Sequence, residues 1–441
     1  MPEISRRQFV LTAGAAGTAA AASTAFAPFA IAQDAAKIVI VGGGAGGATI
    51  AHILKKDEPK LDVTLIEANP SYTTCFFSNL YLGGFRTFRS LQHTYDGLRK
   101  LGVKVVLDMA TGADTDKKIV QTRGGRSFPY DRLVLAPGID IKYDAIEGYT
   151  EAAANIMPHA WKPGPQTQLL KNQLDAMRAG GTVVLAVTPP NPAYRCPPGP
   201  YERACMIAHH LKTRKPRSKL IILDAKKTFS KQAVFTEAFG KYYKDIIDLK
   251  LTTELDDFGV VKADARTRTV TCKNGQSFKG DVVNIVPHQR AGEIAHKAGC
   301  VDGDWCPIDP ENFASKKVKD VYVLGDASVA APMPKSGFSA NSQAKVVAAD
   351  ILTALAKKDK FPARYRNTCW SMVAPNDSVK VGGNYAPKEG KLAESDGFVS
   401  KSGEDATLRK TTYEESLGWY SGIVADIFAK TTPAEGKKKK V

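Results

Sequence analysis

Glycines with the spacing of a dinucleotide cradle follow the first apolar run of the sequence. Lys37 to Val41 is typical of a buried parallel strand, and a G-x-G-x-x-G pattern follows it directly. The cradle residues are Gly42, Gly44, Ala45 and Gly47. Glycines allow a tight turn and a close approach of the backbone to a pyrophosphate at the N-terminus of the next helix. Glu67, at the end of the second predicted strand, is placed to bind a ribose hydroxyl.

Two later segments decide between NAD and FAD. The run that ends in Ala136-Pro137-Gly138 resembles the strand-to-turn signature of two-dinucleotide flavoproteins. Val321 to Asp326, which includes Gly325, resembles their second FAD fingerprint, whose aspartate contacts the ribitol. Because the three motifs follow one another in the order of that fold, the sequence predicts bound FAD.

A predicted helix supports the same cofactor. We expect residues 341–350 to form a helix whose N-terminus points toward the pyrimidine edge of the flavin. The positive end of the helix dipole would stabilise the anionic reduced ring. Asn341 and Lys335 are therefore predicted flavin-binding residues.

A second strand–loop–helix–strand unit begins near Gly180, but its loop is rich in proline. Residues 188–199 have the sequence TPPNPAYRCPPG, where an NAD-binding domain would have glycines. Prolines lack N–H donors and stiffen the backbone, so this loop cannot cradle a pyrophosphate. We predict a domain that keeps the nucleotide-binding shape without binding NAD(P)H.

The first 32 residues are predicted to be a twin-arginine signal peptide. Arg6 and Arg7 precede an Ala- and Gly-rich stretch, and Ala30-Ile31-Ala32 is a small-x-small cleavage site. The alternative, a membrane anchor, is disfavoured because the stretch is short and weakly apolar. Twin-arginine export carries folded proteins, so we expect a periplasmic, cofactor-loaded protein with no integral membrane segment in its mature chain.

The formal net charge is +16, and a lysine run at 437–440 contributes to it. The sequence has no basic helix and no recognition motif for nucleic acid, so we predict no nucleic-acid partner. A positive surface can steer an anion or an acidic protein; a solvated basic surface is the alternative. The tail 431–441 is predicted to be disordered.

Seven cysteines occur in the chain: Cys75, Cys196, Cys205, Cys272, Cys300, Cys306 and Cys369. An oxidising compartment permits disulfides, and the odd count leaves at least one thiol unpaired. The residues alone leave the pairing open. The chain has no Cys-x-x-Cys-His motif for attaching a c-type haem, and we predict no metal site.

Four segments carry a closer likeness: residues 72–76, 195–203, 332–343 and 367–369. They resemble the flavoprotein subunit of flavocytochrome c sulfide dehydrogenase, and the likeness runs through nearly all of the mature chain. The resemblance implies that Cys75 carries FAD through a thioether to the flavin 8α-methyl group. A small buried thiol is the alternative.

The resemblance also implies that Cys196 and Cys369 form a redox-active disulfide over the flavin. The alternative is a purely structural disulfide, which by closing a long loop would raise the free energy of unfolding by roughly 5 kcal/mol. Cys196 lies in the proline-rich loop, where a nicotinamide would otherwise meet the flavin, which favours the redox role.

The implied reaction starts with attack of hydrosulfide on one sulfur of that disulfide, which gives a persulfide and a thiolate. The thiolate passes two electrons to the flavin, and a c-type cytochrome subunit then receives them. The residues leave open which cysteine is attacked. Glu202 is the candidate acid/base; a surface carboxylate paired with Arg203 or Arg195 is the alternative.

Two other functions fit part of the pattern. A sulfide:quinone oxidoreductase would need an apolar membrane-docking helix near the C-terminus, whereas residues 417–428 form one short amphipathic segment. A non-catalytic FAD-binding assembly protein would not need Cys196 and Cys369, and both are present.

These residues must be positioned by an α/β fold with two Rossmann-like domains and a smaller C-terminal α+β domain. We predict an FAD-binding domain at 33–147 and 286–359, an NAD-like domain at 148–285, and a C-terminal domain at 360–441 that ends in a helix at 414–429.

Overall fold

The computed structural model describes residues 35–189, 194–252 and 257–430. The predicted signal peptide at 1–32, residues 190–193 of the proline-rich loop and the basic tail at 431–441 lie outside the described residues. Their assignments stay predictions.

The described chain contains both strands and helices. Up to residue 145 they are β1 (Lys37–Val41), α1 (Ala45–Asp57), β2 (Asp62–Glu67), β3 (Ser71–Thr73), α2 (Ser78–Leu82), β4 (Gln92–Thr94), α3 (Asp96–Lys100), β5 (Lys104–Leu107), β6 (Ala110–Asp114), β7 (Ile119–Thr122), β8 (Ser127–Pro129), β9 (Arg132–Leu135) and β10 (Ile139–Ile141). Up to residue 300 they are α4 (Pro165–Ala176), β11 (Thr182–Val187), α5 (Gly199–Arg214), β12 (Lys219–Asp224), α6 (Gln232–Tyr243), β13 (Ile247–Leu251), β14 (Val260–Asp264), β15 (Thr269–Cys272), β16 (Ser277–Lys279), β17 (Val282–Val286), β18 (Gln289–Ala291) and α7 (Glu293–Lys297). The remaining elements are β19 (Val321–Val323), α8 (Gly337–Leu355), β20 (Tyr365–Ala374), β21 (Asp377–Lys388), β22 (Lys391–Val399) and α9 (Ala406–Phe428). Short 3₁₀ helices occur at Phe88–Leu91, Tyr143–Ala145, Ala153–Asn155 and Gly325–Ala327.

Five parallel strands form the sheet that carries the glycine turn, in the order β19-β9-β1-β2-β5. Ile38 and Ile40 in β1 and Leu65 in β2 are fully buried. Strands that are covered on both faces are typical of continuous apolar runs, which is the pattern of these segments. Because the strands are parallel, the residues after β1, β2, β9 and β19 meet at one edge of the sheet.

A second parallel sheet has the order β13-β12-β11-β17. Antiparallel strands β10 and β18 pair with each other where the chain leaves the first sheet and where it returns. These two sheets confirm the predicted α/β class with two Rossmann-like units. The domain boundaries stay predictions.

The C-terminal part is built differently. Strands β20, β21 and β22 form an antiparallel sheet, and α9 packs against β21 and α1. This is the predicted α+β segment. Within the described residues, no helix is both long enough and apolar enough to cross a membrane.

Two helix boundaries differ from those predicted. The helix α8 begins at Gly337, four residues before Asn341, because the Ser336 hydroxyl caps it and accepts the Ser339 N–H. The helix α9 begins at Ala406 rather than at 414, because the Asp405 carboxylate accepts the N–H groups of the first turn. Both caps lie in polar segments without helical periodicity, which is why the pattern of apolar residues placed the helix starts too late.

Candidate active site

The turn between β1 and α1 requires glycine at two positions. Gly42 has a φ of +102°, and a Cβ atom there would lie 2.3 Å from the carbonyl oxygen of Ala136. A Cβ atom on Gly47 would lie 2.0 Å from the oxygen of Gly42. Gly44 is the N-cap of α1, and no side chain caps this helix. The N–H groups of its first turn, from Ala45 onward, are therefore placed to bind an anion such as a pyrophosphate.

Glu67 is fixed beside this turn. Its carboxylate accepts the N–H of Gly43 at 2.7 Å and the N–H of Asn69 at 2.9 Å. The acid thus lies at the end of β2 and next to the glycine turn, where a dinucleotide ribose would lie. Its contact with a ribose stays a prediction.

The other two motifs lie at the same edge of the sheet. The Ala136 N–H donates to the Val41 oxygen at 2.9 Å. Gly138 and Gly325 have φ values of +68° and +72°, which favour glycine. Asp326 follows directly, and its Oδ1 atom is buried without a hydrogen-bond partner in the described part of the chain.

Asp326 shares its surroundings with Arg195 and Cys75. Burial raises the pKa of the Asp326 carboxyl, and the charge of Arg195 lowers it. Burial also raises the pKa of the Cys75 thiol, which Arg195 again lowers. Arg195 Nε is a second buried polar atom without a hydrogen-bond partner among the described residues. Buried polar atoms need partners, so an unpaired carboxylate oxygen and an unpaired guanidinium nitrogen in one place fit a polar cofactor such as FAD.

Cys75 lies between β3 and α2 and is half-buried. Its carbonyl oxygen accepts the N–H and the hydroxyl of Ser78. Tyr72 lies between Cys75 and the glycine turn, since its ring is 3.2 Å from where a Cβ atom on Gly44 would be. Burial raises the pKa of Tyr72, and the charge of Cys75 raises it further. The predicted attachment cysteine is therefore close to the cradle, and the thioether itself stays a prediction.

Lys335 and Asn341 are held by protein atoms. The Lys335 ammonium donates to the carbonyl oxygens of Asp326 at 2.8 Å and Ser328 at 2.6 Å. Burial lowers the pKa of Lys335 to about 8. The Asn341 amide donates to the Thr49 hydroxyl at 2.9 Å. Both side chains thus brace the edge of the site, and a direct contact of either with flavin stays a prediction.

Cys196 lies just before α5 in an unusual backbone conformation. Its φ is +56°, a left-handed conformation that is uncommon for a residue with a side chain and that clusters at functional sites. The Cys196 N–H donates to the Lys335 oxygen at 2.8 Å, and the Gly199 N–H donates to the Cys196 oxygen at 2.8 Å. A Cβ atom on Gly199 would lie 2.9 Å from the Cys196 sulfur, so the start of α5 must come close to this thiol.

Cys369 lies in β20 and is also half-buried. The Asn367 amide donates to its sulfur at 3.5 Å. The orientation of this amide is fixed, because Asn367 Oδ1 accepts the hydroxyls of Ser336 at 2.6 Å and Ser339 at 3.2 Å. Burial raises the pKa of Cys369, whereas the Asn367 hydrogen bond lowers it.

The three predicted cysteines share one buried environment. Burial raises the pKa of Cys196, and the charges of Cys369, Glu202 and Cys75 raise it further. All seven cysteines are free thiols in this structure, so the Cys196–Cys369 disulfide stays a prediction. The other four thiols are buried: Cys205, Cys272, Cys300 and Cys306.

Glu202 bridges two elements of the site. Its carboxylate accepts the Asn79 amide at 2.7 Å and the Met372 N–H at 3.1 Å. Burial raises its pKa. Arg203 donates elsewhere, to Asn79 Oδ1 at 3.1 Å and to the Ala160 oxygen at 2.6 Å. Glu202 is thus a half-buried group facing α2 and β20, and the alternative of a surface ion pair with Arg203 does not match these contacts.

Lys231 is a charged residue of the site that the sequence analysis missed. It is buried, and its ammonium donates to the Ser371 hydroxyl at 2.7 Å and to the Cys369 oxygen at 3.1 Å. A single lysine before an amphipathic helix has no motif, so only the tertiary contact with β20 reveals it. The charges of Cys369 and Glu202 raise its pKa, but burial lowers that pKa more, to about 8.

In the second Rossmann-like unit, protein side chains bind the acid at the end of β12. Asp224 ends β12, where a ribose-binding acid would lie, but it accepts the Tyr201 hydroxyl at 2.5 Å and the Lys226 ammonium at 2.6 Å. The Tyr201 ring stacks on Phe229 with centroids 3.6 Å apart. The acid is therefore already bound within the fold, and the absence of NAD(P)H binding stays a prediction.

Aromatic rings surround the chain next to Cys75 and Cys369. Trp419 of α9 stacks on Phe338 at 6.0 Å and lies 5.1 Å from Trp370. Phe76 meets Trp419 edge-on at 5.6 Å. These contacts make the C-terminal helix part of the wall of the site.

Family models match most of the described chain. The model for the central part of the sulfide dehydrogenase [flavocytochrome c] flavoprotein chain matches residues 167–287, and the model for the flavin-binding part of flavocytochrome c sulphide dehydrogenase matches residues 361–428. A sulfide dehydrogenase [flavocytochrome c] flavoprotein chain from Chlorobaculum thiosulfatiphilum is 49% identical over 43 residues, which are 10% of this chain and 90% of that sequence. The chain belongs to the flavocytochrome c sulfide dehydrogenase flavoprotein family.

Wider relatives agree with this assignment. The model for pyridine nucleotide-disulphide oxidoreductases matches residues 36–170. A sulfide-quinone reductase from Aquifex aeolicus is 23% identical over 435 residues, covering 90% of this chain and 96% of the relative. A mitochondrial sulfide:quinone oxidoreductase from Dictyostelium discoideum is 22% identical over 327 residues, covering 73% and 71%.

Solved structures show the same fold. The sulfide:quinone oxidoreductase of Aquifex aeolicus superposes with a TM-score of 0.67 at 19% identity, covering 90% of this chain and 93% of the other. The covalent putidaredoxin reductase–putidaredoxin complex gives a TM-score of 0.63 at 17% identity, covering 89% and 98%. The protein is thus an oxidoreductase of a sulfide-oxidising flavoprotein family and has the two-dinucleotide fold. Its cofactor is a flavin.

Proposed function

We propose that the protein is a periplasmic enzyme that oxidises sulfide to sulfur or polysulfide and passes the electrons to a c-type cytochrome subunit. The observation that carries this proposal is the shared buried environment of Cys75, Cys196 and Cys369 beside the glycine turn. Three thiols are brought there from three distant parts of the chain, which a cofactor site alone does not require.

The cofactor would be FAD. The glycine turn would hold its pyrophosphate, Glu67 a ribose, and Asp326 the ribitol, while Cys75 would attach the ring covalently. When bound, the flavin accepts two electrons from sulfur and releases them one at a time. The chain itself supplies the anion site, the buried acid and the thiols.

Sulfide would react with the oxidised form of the Cys196–Cys369 pair. Hydrosulfide attacks one sulfur, a new S–S bond forms, and the electron pair of the broken disulfide goes to the other sulfur as a thiolate. Glu202 would hold or move a proton here, since its raised pKa keeps the group closer to working pH than an exposed glutamate. That carboxylate faces the strand that carries Cys369.

The compartment and the partner follow from other features. The twin-arginine pattern at residues 5–9 supports export to the periplasm. The family name supports a cytochrome partner, and a haem is needed from that partner because the chain has no haem-attachment motif.

An anaerobic sulfide titration of the purified protein tests this function. We expect one equivalent of sulfide to bleach the flavin absorbance, and added c-type cytochrome to restore it with reduction of its haem. A flavin that stays oxidised in excess sulfide would reject the proposal.

A sulfide:quinone oxidoreductase is the second candidate, because the Aquifex aeolicus quinone reductase aligns over 90% of this chain. The same titration separates the two. Reoxidation by a soluble quinone, with no reaction of cytochrome, would favour the quinone enzyme.

A further inference from the structure

The buried ammonium of Lys231 is anchored on the strand that carries Cys369. It lies at the N-cap of α6, with a φ of +61°, and its two hydrogen bonds go to Cys369 and Ser371. A long cationic side chain is costly to bury unless its charge is balanced nearby. Among the described residues Lys231 makes no ion pair within 4 Å. Both of its hydrogen bonds go to neutral groups, a backbone oxygen and a hydroxyl. This leaves its positive charge for an anion that forms during the reaction.

Burial raises the pKa of Cys369, as does the charge of Glu202, but polar neighbours of the sulfur oppose this rise. The Asn367 amide donates to the sulfur at 3.5 Å, and the amide cannot turn away because two serine hydroxyls hold its oxygen. The charge of Lys231 acts in the same direction and lowers the pKa of Cys369. Hydrogen bonds and positive charge both stabilise an anionic sulfur.

The sulfur of Cys196 lacks such a hydrogen bond from the described residues. Burial raises the pKa of Cys196, and the charges of Cys369, Glu202 and Cys75 raise it further, whereas Arg195 lowers it. The positive charges of Arg203 and Lys231 also act on Cys196. The N-terminus of α5 offers it no spare donor. The Gly199 N–H is bonded to the Cys196 oxygen, the N–H groups of residues 201 and 202 are bonded to the Pro198 oxygen, and residue 200 is a proline.

We propose that Lys231 is a positioning residue that makes Cys369 the leaving thiolate, so that hydrosulfide attacks Cys196. The inference rests on the proposed sulfide oxidation and assigns its direction. In the oxidised enzyme HS⁻ forms a bond to the Cys196 sulfur, the Cys196–Cys369 bond breaks, and its electron pair stays on Cys369. One negative charge enters with HS⁻ and one remains on the Cys369 thiolate, while Cys196 carries the persulfide. A disulfide breaks toward the sulfur that bears the charge better.

Other charged or titratable groups also lie near Lys231. Glu202, Cys196 and Cys205 face it from α5 and the loop before it. Asp377 of β21 and Arg409 of α9 form a 2.7 Å ion pair further along the same region. Arg409 also lies 3.7 Å from Glu237, so its charge is balanced by two carboxylates, whereas Lys231 donates its hydrogen bonds to Cys369 and Ser371.

The direct test maps the persulfide. The oxidised holoenzyme is mixed with one equivalent of sulfide, alkylated within the first turnover and digested, and the Cys196 and Cys369 peptides are compared by mass spectrometry. We expect the extra sulfur on Cys196. In Lys231→Gln, which can still donate both hydrogen bonds but lacks the charge, the Cys196:Cys369 ratio should fall by about tenfold, the change for one unit of thiol pKa. Lys231→Arg should restore the ratio, and Lys241→Gln, on the exposed end of the same helix, should leave it unchanged.

A second measurement does not depend on sulfide turnover. The rate of alkylation of Cys369 in the reduced protein is followed against pH, and its midpoint should rise by about one unit in Lys231→Gln. Extra sulfur on Cys369 in the native protein, or equal midpoints in the native protein and Lys231→Gln, would overturn the proposal. Persulfide on neither cysteine would instead reject the sulfide chemistry, and the alkylation midpoints would still decide the effect of Lys231. Thermal melting checks that each variant is folded, and Lys231→Arg tests the same charge if Lys231→Gln does not fold.

Discussion

At the scale of single residues, Glu202 is a partly buried carboxylate next to the strand that carries Cys369. Its carboxylate is held by Asn79 of α2 and by the backbone of Met372 in β20. Burial raises its pKa, and the hydrogen bonds and the charge of Lys231 lower it by less. The group therefore loses its proton at a higher pH than an exposed glutamate.

The Glu202→Gln variant tests this role. We expect kcat/KM for sulfide to fall about 100-fold, the usual contribution of a general acid or base. Since the pKa is raised, the carboxylate is present above that pKa and is lost as pH falls through it. The native profile should therefore have an acidic limb that the variant lacks. Steady-state assays from about pH 5 to 9 measure this, with the exposed Glu293→Gln as the control; an acidic limb that persists in Glu202→Gln would contradict the assignment.

Cys75 allows an equally local prediction. If its sulfur holds the flavin, acid precipitation of the native protein leaves the yellow colour in the pellet. The Cys75→Ser variant should release all of its flavin into the supernatant, whereas Cys272→Ser, which changes a buried cysteine in β15, should not. Flavin released from the native protein would show that no thioether exists.

At the scale of elements, the fit of β1 to α1 depends on the close contact between Gly47 and Gly42. A Cβ atom at position 47 would overlap the Gly42 oxygen at 2.0 Å, and that atom is backbone, which cannot move without opening the turn. The helix N-terminus would then lose its place at the edge of the sheet.

The Gly47→Ala variant should therefore lose flavin. We expect a lower ratio of flavin to protein after purification and a loss of about 1 to 3 kcal/mol in the free energy of unfolding from overpacking. Absorbance spectra and denaturant titrations measure the two effects. Gly418→Ala is the matched control, since nothing lies within 4 Å of a Cβ atom there, and it should be neutral or stabilising by up to about 1 kcal/mol. Full flavin content in Gly47→Ala would rule out a cradle at this turn.

Capping residues outside the apolar pattern determine where two helices begin. The apolar pattern predicts α8 and α9 but starts both too late, because the first turns after Ser336 and Asp405 contain few large apolar residues. The cap of α8 is also part of the site: the Ser336 hydroxyl donates to Asn367, which donates to Cys369. A sequence pattern shows neither connection, since residues 336 and 367 belong to different elements.

At the scale of the whole molecule, the two parallel sheets differ in the loops and acids at their strand ends. The first ends in a glycine turn with Glu67 beside it, and the second ends in a proline-containing loop with Asp224 bound to Tyr201 and Lys226. We therefore expect the first sheet, and not the second, to bind a nucleotide.

NADH should therefore not reduce the protein. We expect no bleaching of the flavin by NADH or NADPH under anaerobic conditions, whereas sulfide bleaches it in the same cuvette. Reduction by NADH at a rate comparable to that by sulfide would show that the second unit does bind a nicotinamide cofactor, and would contradict the role assigned to Asp224.

The sequence by itself determined the chemistry that depends on local geometry. A glycine turn, the acid that ends β2 and the glycine–aspartate turn after β19 are each specified by a few consecutive residues, because backbone conformation and strand ends are local properties. The prolines of the second loop are equally local. The α/β class and the flavin followed from these motifs and from their order.

Only the tertiary structure decided how distant groups act on one another. Cys75, Cys196 and Cys369 share one environment because α5 packs against both α2 and β20. The packing of α5 on β20 also brings Glu202 to the Met372 backbone, and the packing of α6 on β20 brings Lys231 to Cys369. The burial and the electrostatic surroundings of a group depend on all of its neighbours in space, and these come from distant parts of the sequence. The different surroundings of Cys196 and Cys369 could therefore not be predicted from their positions in the chain.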